Sequence, residues 1–342
     1  MEIFVPGRLC LFGEHSDWAA QYRLVNPKID RGYGIVVGTN QGIYARIKTH
    51  SRLRFTTINN PEVLDLPMDL VELEKMTQTG HFYSYVAGVA YEVLKRYKVS
   101  GVAIDNYKMD LPLKKGLSSS AAICVLVARA FNRLYDLGLS LEEEMDLAYW
   151  GERNTPSQCG RLDQACAYGG RPILMTFDRD NLEVKPLTVG NDLYAIIVDL
   201  AGEKNTQTIL AELNQCYPVA NNSIETGVQH YLGEINGEIV NNAILYLQQG
   251  NISKLGNLMN LAQTQFDRYM IPACPSQLTA PLLHQLLNHP PLQKYIYGGK
   301  GVGSQGDGTA QLIARDRSSQ QEAMAIIKQD FPQMQCFELN IS

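Results

Sequence analysis

The spacing of apolar residues changes several times along this chain, and each change marks an element. Residues 2–5 alternate as a short strand that runs into Pro6-Gly7. β-Branched and aromatic residues over Ile43–Lys48 and Leu53–Ile58 predict the two strands of a hairpin. Helical spacing takes over from Gly80 to Tyr97, with Phe82, Val86, Val89 and Val93 on one face. Val99–Met109 predicts a strand. Ala121–Tyr135 predicts a buried helix, with Ile123, Val125, Leu126, Ala130 and Leu134 among its apolar residues. Ser140 and Glu143 then have the spacing of a capping box, opening a helix that passes Met145, Leu147 and Ala148 to reach Trp150 and Glu152. Ile173–Val189 is strand-like, with a turn at residues 178–181.

Leu193–Leu200 is a continuous apolar strand, and a domain boundary is expected just before it, dividing the chain into 1–190 and 191–342. Four helical patterns follow, at 204–214, 218–248, 251–269 and 276–289, the second interrupted. A glycine-rich run at residues 298–308 breaks the pattern. Beyond it lie a strand (Ala310–Arg315), a helix from Ser319 and a final strand at Phe337–Ile341. That order reads as a small α+β domain.

Composition narrows the class of protein. At 342 residues, 45% hydrophobic and 19% charged, the chain can bury two cores of a soluble globular enzyme. A net charge of -5 with scattered basic residues argues against nucleic acid as a partner. No apolar run approaches a membrane span, and Met1–Pro6 does not read as a signal peptide. Seven cysteines without a Cys-x-x-Cys pair suggest neither a disulfide framework nor a zinc site. A cytoplasmic protein, monomer or homodimer, is expected.

Three stretches carry candidate chemistry. In the first, Gly7-Arg8-Leu9-Cys10-Leu11-Phe12-Gly13-Glu14-His15-Ser16-Asp17-Trp18, a cation, two carboxylates and an imidazole flank a small apolar patch. A solvated turn would also show such charge. In the second, Leu111 to Ala122, a Pro and Gly loop with three serines leads into the helix at Ala121. The first N–H groups of that helix, and its positive dipole end, would face an anion in the loop. A serine-rich cap with no ligand would use the same residues. The third is Lys300-Gly301-Val302-Gly303-Ser304-Gln305-Gly306-Asp307-Gly308, whose glycines permit close backbone approach to a ligand.

In this order and spacing, the three motifs resemble those of the GHMP kinases, the superfamily of galactokinase, homoserine kinase, mevalonate kinase and phosphomevalonate kinase. The first is most similar to the galactokinase version, as is the loop Gln158–Gln164. The resemblance implies an α+β, two-domain GHMP kinase fold. An ATP-binding, ribosomal S5 domain 2-like N-terminal domain would occupy 1–190, and a ferredoxin-like α+β C-terminal domain 191–342. It also implies an ATP-dependent kinase needing Mg2+, with a small-molecule sugar as acceptor and the anomeric C1 hydroxyl of galactose, arabinose or a uronic acid as target. A mevalonate- or homoserine-type kinase acting on an acyclic alcohol, or an inactive sensor of sugar and ATP, is the alternative.

By the same similarity, Lys115, Gly116, Leu117, Ser118, Ser119 and Ser120 would wrap the nucleotide phosphates. Ser120 and Glu152 would hold the metal. Asp163, eleven residues beyond Glu152, would meet the substrate hydroxyl, with Arg8 beside it. Glu14, His15, Asp17 and Gly303 would read the sugar. The chain also departs from the pattern: Lys114 stands where the family has glycine, Trp18-Ala19 replaces tyrosine-asparagine, and Gln305 and Asp307 interrupt the third motif.

Overall fold

The computed structural model describes every residue except 112–115 and 158. Strand β1 (Glu2–Phe12) leads through the short helix α1 (Ser16–Gln21) to the long β2 (Gly32–His50). Then come β3 (Arg52–Thr57), β4 (Asn60–Pro67), α2 (Leu70–Thr77), α3 (Tyr83–Arg96) and β5 (Gly101–Met109). Helices α4 (Ser119–Tyr135) and α5 (Leu141–Arg153) precede β6 (Ile173–Asp178) and β7 (Asn181–Pro186). Next is β8 (Leu193–Asp199), followed by α6 (Thr206–Asn214), α7 (Ser223–His230), α8 (Asn236–Gln248) and α9 (Ile252–Met270). Short α10 (Pro275–Leu278) and α11 (Pro281–Leu287) lead to β9 (Ile296–Gly301), β10 (Thr309–Ala314), α12 (Arg317–Asp330) and β11 (Gln335–Ile341).

Two compact units share these elements. One comprises Met1–Arg8 with Val37–Gly170, the other Leu9–Val36 with Arg171–Ser342. The units therefore do not part at residues 190 and 191. The first half of β2 pairs with β6, from Gly32 opposite Phe177 to Val36 opposite Ile173, and this ladder draws residues 171–190 into the second unit.

In the first unit, the second half of β2 pairs antiparallel with β5, and β3 pairs parallel with β5 and antiparallel with β4. The hairpin expected from Ile43–Lys48 and Leu53–Ile58 is thus corrected: β5 lies between those strands, and the hairpin partner of β3 is β4. The turn between β2 and β3 passes over the start of β5 at Gly101, where a Cβ would lie 2.2 Å from the carbonyl carbon of Arg52. Helices α3, α4 and α5 pack on one another, and α4 is buried from Ala121 to Phe131. The capping box at Ser140 and Glu143 opens α5 as expected.

The second unit holds the antiparallel sheet β11-β8-β10-β9. Its core gathers Ile196, Val198, Leu312 and Ile327. A separate core seats α1, through Ala19 and Trp18, among Tyr217, Tyr231 and Phe266. The interruption expected within 218–248 is a π-turn at Tyr231–Ile235 between α7 and α8. The expected helix 276–289 divides into α10 and α11, because Pro281 cannot continue the preceding turn.

Candidate active site

The first cluster is built where α4 begins. Gly116 (φ 75°) and Ser118 (φ 55°) turn the chain through the left-handed region immediately before the helix. Ser118 occupies the N-cap position, yet its side chain caps no N–H of α4. Its hydroxyl donates instead to Asp163 Oδ1 at 2.7 Å. The first turn of α4 is left with backbone donors and no side-chain cap, the arrangement that suits an anion.

Arg8, near the middle of β1, ties this loop to Asp163. Its Nε donates to Asp163 Oδ1 at 3.1 Å, and Nη2 bonds the same oxygen. Its Nη1 donates to the Gly116 carbonyl at 3.0 Å, and its backbone N–H to the Leu117 carbonyl at 3.1 Å. Asp163 opens a 3-10 turn, Asp163–Tyr168. Arg129, buried in α4, holds the far end of that turn by donating to the Ala167 carbonyl at 2.7 Å while pairing with Glu144.

Glu152, in the last turn of α5, is 1% exposed. Gln164 donates to its Oε2 at 2.9 Å, and the Ser120 hydroxyl also bonds it. Burial, followed by the charge of Asp163, pushes the Glu152 carboxyl up to about 7, against the pull of its hydrogen-bond donors. A carboxylate held this close to a second one, with a serine hydroxyl beside it, is a hard oxygen donor set suited to Mg2+, a cation that keeps waters and uses few protein ligands. Among the described residues no group of three or more His, Cys, Asp and Glu side chains could hold a metal ion.

The second cluster lies in the second unit. Gly13 (φ 97°) turns the chain out of β1, and only glycine fits there because a Cβ would come within 2.1 Å of the Tyr33 carbonyl oxygen. The turn is pinned by Asn236, which donates to Ser16 Oγ at 2.6 Å and to the Tyr33 carbonyl at 3.2 Å. Glu14, His15 and Asp17 are all buried. Lys300, in β9 and 1% exposed, pairs with Glu14 and donates to the Gly301 carbonyl at 2.9 Å.

His15 receives an N–H from Trp18 on Nδ1 at 3.0 Å and stacks on Phe266. Burial, and then the charges of Lys204 and Lys300, lower its pKa to about 4. The ring is therefore neutral at pH 7, and the Trp18 bond leaves its proton on Nε2. That nitrogen is buried and makes no hydrogen bond of good geometry among the described residues, although the Ser304 backbone lies close enough to the ring to oppose part of the lowering. Asp307 accepts the Leu283 backbone N–H at 3.0 Å and so caps α11.

The expected site residues thus fall into two sets. Arg8, Gly116, Leu117, Ser118 and Asp163 are directly linked, with Ser119 opening α4 and Ser120 beside Glu152. Glu14, His15 and Asp17 share the turn into α1, and Gly303 (φ 65°) lies in the loop after β9. Lys115, Lys114 and Gln158 lie outside the described residues. Reading the chain alone missed Lys300 and Gln164 as partners of the two glutamates, although both stand within quoted motifs. It also missed Arg129, which nothing in an apolar helix singles out.

With this geometry in hand, the chain can be set beside known proteins. Residues 84–171 match the family described as GHMP kinases N terminal domain. That segment carries the GHMP kinase N-terminal pattern, and the mixed α+β architecture with two sheets matches that of solved galactokinase and mevalonate kinase structures. The chain's relatives in sequence include a galactokinase of Thermococcus kodakarensis, 31% identical over 201 residues that cover 58% of this chain and 52% of that one. A galactokinase of Thermosipho africanus is 23% identical over 78% of this chain and 74% of its own length. The chain spans about half the length of the first of these curated relatives. In fold it is similar to a Lactococcus lactis galactokinase complexed with galactose (TM-score 0.77, 17% identity, 99% and 93% covered). An L. major mevalonate kinase in complex with R-mevalonate superposes with TM-score 0.70 at 20% identity, covering 100% and 96%.

Proposed function

We propose that this protein is an ATP-dependent phosphotransferase that moves the γ-phosphate of ATP to a hydroxyl of a monosaccharide. The anomeric C1 hydroxyl of a galactose-, arabinose- or uronic acid-type sugar is the acceptor we favour. The observation that carries this reading is the convergence of Arg8 and Ser118 on Asp163 beside the uncapped first turn of α4. Phosphoryl transfer asks little covalent chemistry of a protein; it asks for alignment and for charge placed where charge develops. The N–H groups at the mouth of α4 bind the nucleotide phosphates. Asp163 orients the acceptor hydroxyl and takes its proton late in the step, and the Arg8 guanidinium offsets charge on the transferring group. Ser120 and Glu152 would hold Mg2+, which supplies further neutralisation of the phosphates.

Glu14, His15, Asp17 and Gly303 are assigned to the sugar. A carboxylate accepts from neighbouring hydroxyls and so reads their stereochemistry, and the His15 Nε2–H adds a donor. Galactokinase relatives support a sugar over an acyclic alcohol. An acidic sugar would need a counter-charge, and Arg23 is already committed to Asp178 at 2.7 Å. The test is magnesium-dependent ADP release over free monosaccharides, uronic acids, mevalonate and homoserine. Turnover with a sugar is expected. Turnover with an acyclic alcohol alone would overturn the assignment of the first motif, and ATP binding without turnover on any acceptor would favour a sensor.

A further inference from the structure

Gln305, one of the residues that interrupt the glycines of the third motif, is 1% exposed at φ 63°. Neither its Nε2 nor its Oε1 makes a hydrogen bond. Burying both ends of an amide without a partner forfeits their hydration for no return, so such a group needs an explanation. Among the described residues its surroundings offer no hydrogen-bond partner. The side chain lies against Gly301, where a Cβ would come within 2.6 Å of Oε1. The Gly301 N–H already donates to Gln263 Oε1 at 2.7 Å, and the Gly301 carbonyl already accepts from Lys300 at 2.9 Å. Lys300 in turn holds Glu14, and the residue after Glu14 is His15, whose Nε2 is also buried and without a hydrogen bond, as is Oε1 of Gln311, the cross-strand neighbour of Lys300. The unbonded amide thus packs on the residue that follows Lys300, and the imidazole belongs to the residue that follows Glu14.

We propose that the Gln305 amide is a substrate-reading group, which donates from Nε2 and accepts on Oε1 with hydroxyls of the bound sugar and so selects the sugar together with His15. A sugar hydroxyl both donates and accepts, and an amide presents both complements side by side. The proposal rests on the sugar-kinase reading above.

The experiment measures kcat and KM for Gln305→Met and Gln305→Gly with the preferred sugar and with its monodeoxy analogues. Methionine keeps the volume without the polar atoms. Glycine suits the left-handed backbone at this position and guards against a variant that fails to fold. We expect the sugar KM to rise about tenfold in both, the worth of a hydrogen bond, with the KM for ATP unchanged. One deoxy analogue should be discriminated by the parent enzyme and no longer by either variant. An unchanged sugar KM in variants of an enzyme that phosphorylates sugars would overturn the proposal and leave the kinase reading intact. So would parallel losses in sugar KM, ATP KM and Tm, the mark of a scaffold role. Failure of the parent protein to phosphorylate any sugar would overturn both.

Discussion

Two charged pairs, each with one member from the first motif, are built to opposite ends. In the Arg8–Asp163 pair the side chains are 9% and 23% exposed, and three donors from Arg8 and Ser118 crowd onto one carboxylate oxygen. In the Lys300–Glu14 pair they are 2% and 5% exposed, and the lysine is tied to backbone as well. The first pair stands on left-handed turns at the mouth of a helix and keeps its carboxylate within reach of a ligand. The second is sealed into a strand and a pinned turn. A carboxylate that meets a reacting hydroxyl has to stay accessible, whereas a pair that shapes a binding surface has to stay put.

That contrast can be broken most sharply at Asp163. Asp163→Asn preserves shape and removes the charge that faces Arg8, so turnover should fall by about 10²–10⁴-fold while ATP binding persists. Single-turnover assay and calorimetric titration of ATP check the two halves; turnover close to that of the parent would remove Asp163 from the chemistry. The sealed pair should answer in stability first. Lys300→Met leaves Glu14 buried without its partner and should cost about 3–5 kcal/mol, seen as a lowered urea midpoint. Adding Glu14→Gln should restore part of that loss, because the uncompensated charge is then gone. A single variant as stable as the parent would mean that Glu14 is not held as described.

The His15 imidazole tests the electrostatics of the second cluster. The folded state keeps His15 at about 4, below its ordinary 6.5. Between those values the unfolded chain binds more protons, so stability rises with pH across the window and is lost on acidification from 6.5 toward 4. The loss amounts to roughly 3 kcal/mol. Urea midpoints measured at pH 7.5 and pH 4.5 should separate the parent from His15→Gln, whose acid sensitivity is smaller. Equal slopes for both proteins would contradict a buried, neutral His15.

How far all this could be read from the chain depended on sequence distance. Helix α4, the capping box of α5 and the polar first motif are local patterns, and they appear where their residues predict them. Arg8 and Asp163 were found only because each sits in its own motif; nothing local links two residues 155 positions apart. Lys300 and Glu14, 286 apart, escaped notice as a pair for that reason. The expected β2–β3 hairpin failed because a later strand, β5, supplies hydrogen bonds to both of its members. Propensity identifies strands, but it does not say which of them pair.

Asp307 sharpens the same lesson at the smallest scale. It stands as an acid among the glycines of the third motif, and its carboxylate caps α11 through the Leu283 N–H. It also lies close enough to His284 to help raise that residue's pKa, behind the hydrogen bond and charge of Asp267. Asp307→Ala should therefore cost about 1 kcal/mol as a lost cap. A raised histidine pKa contributes stability that is complete below the unfolded value and is lost as pH climbs through the folded one. The penalty should accordingly be larger at pH 5.5 than at a pH above the raised pKa of His284, where only the cap is missing. Thermal midpoints at the two pH values, with the His284 titration followed by NMR, check both parts. A penalty that is the same at both pH values, with an unmoved His284 titration, would leave the cap and remove the electrostatic link.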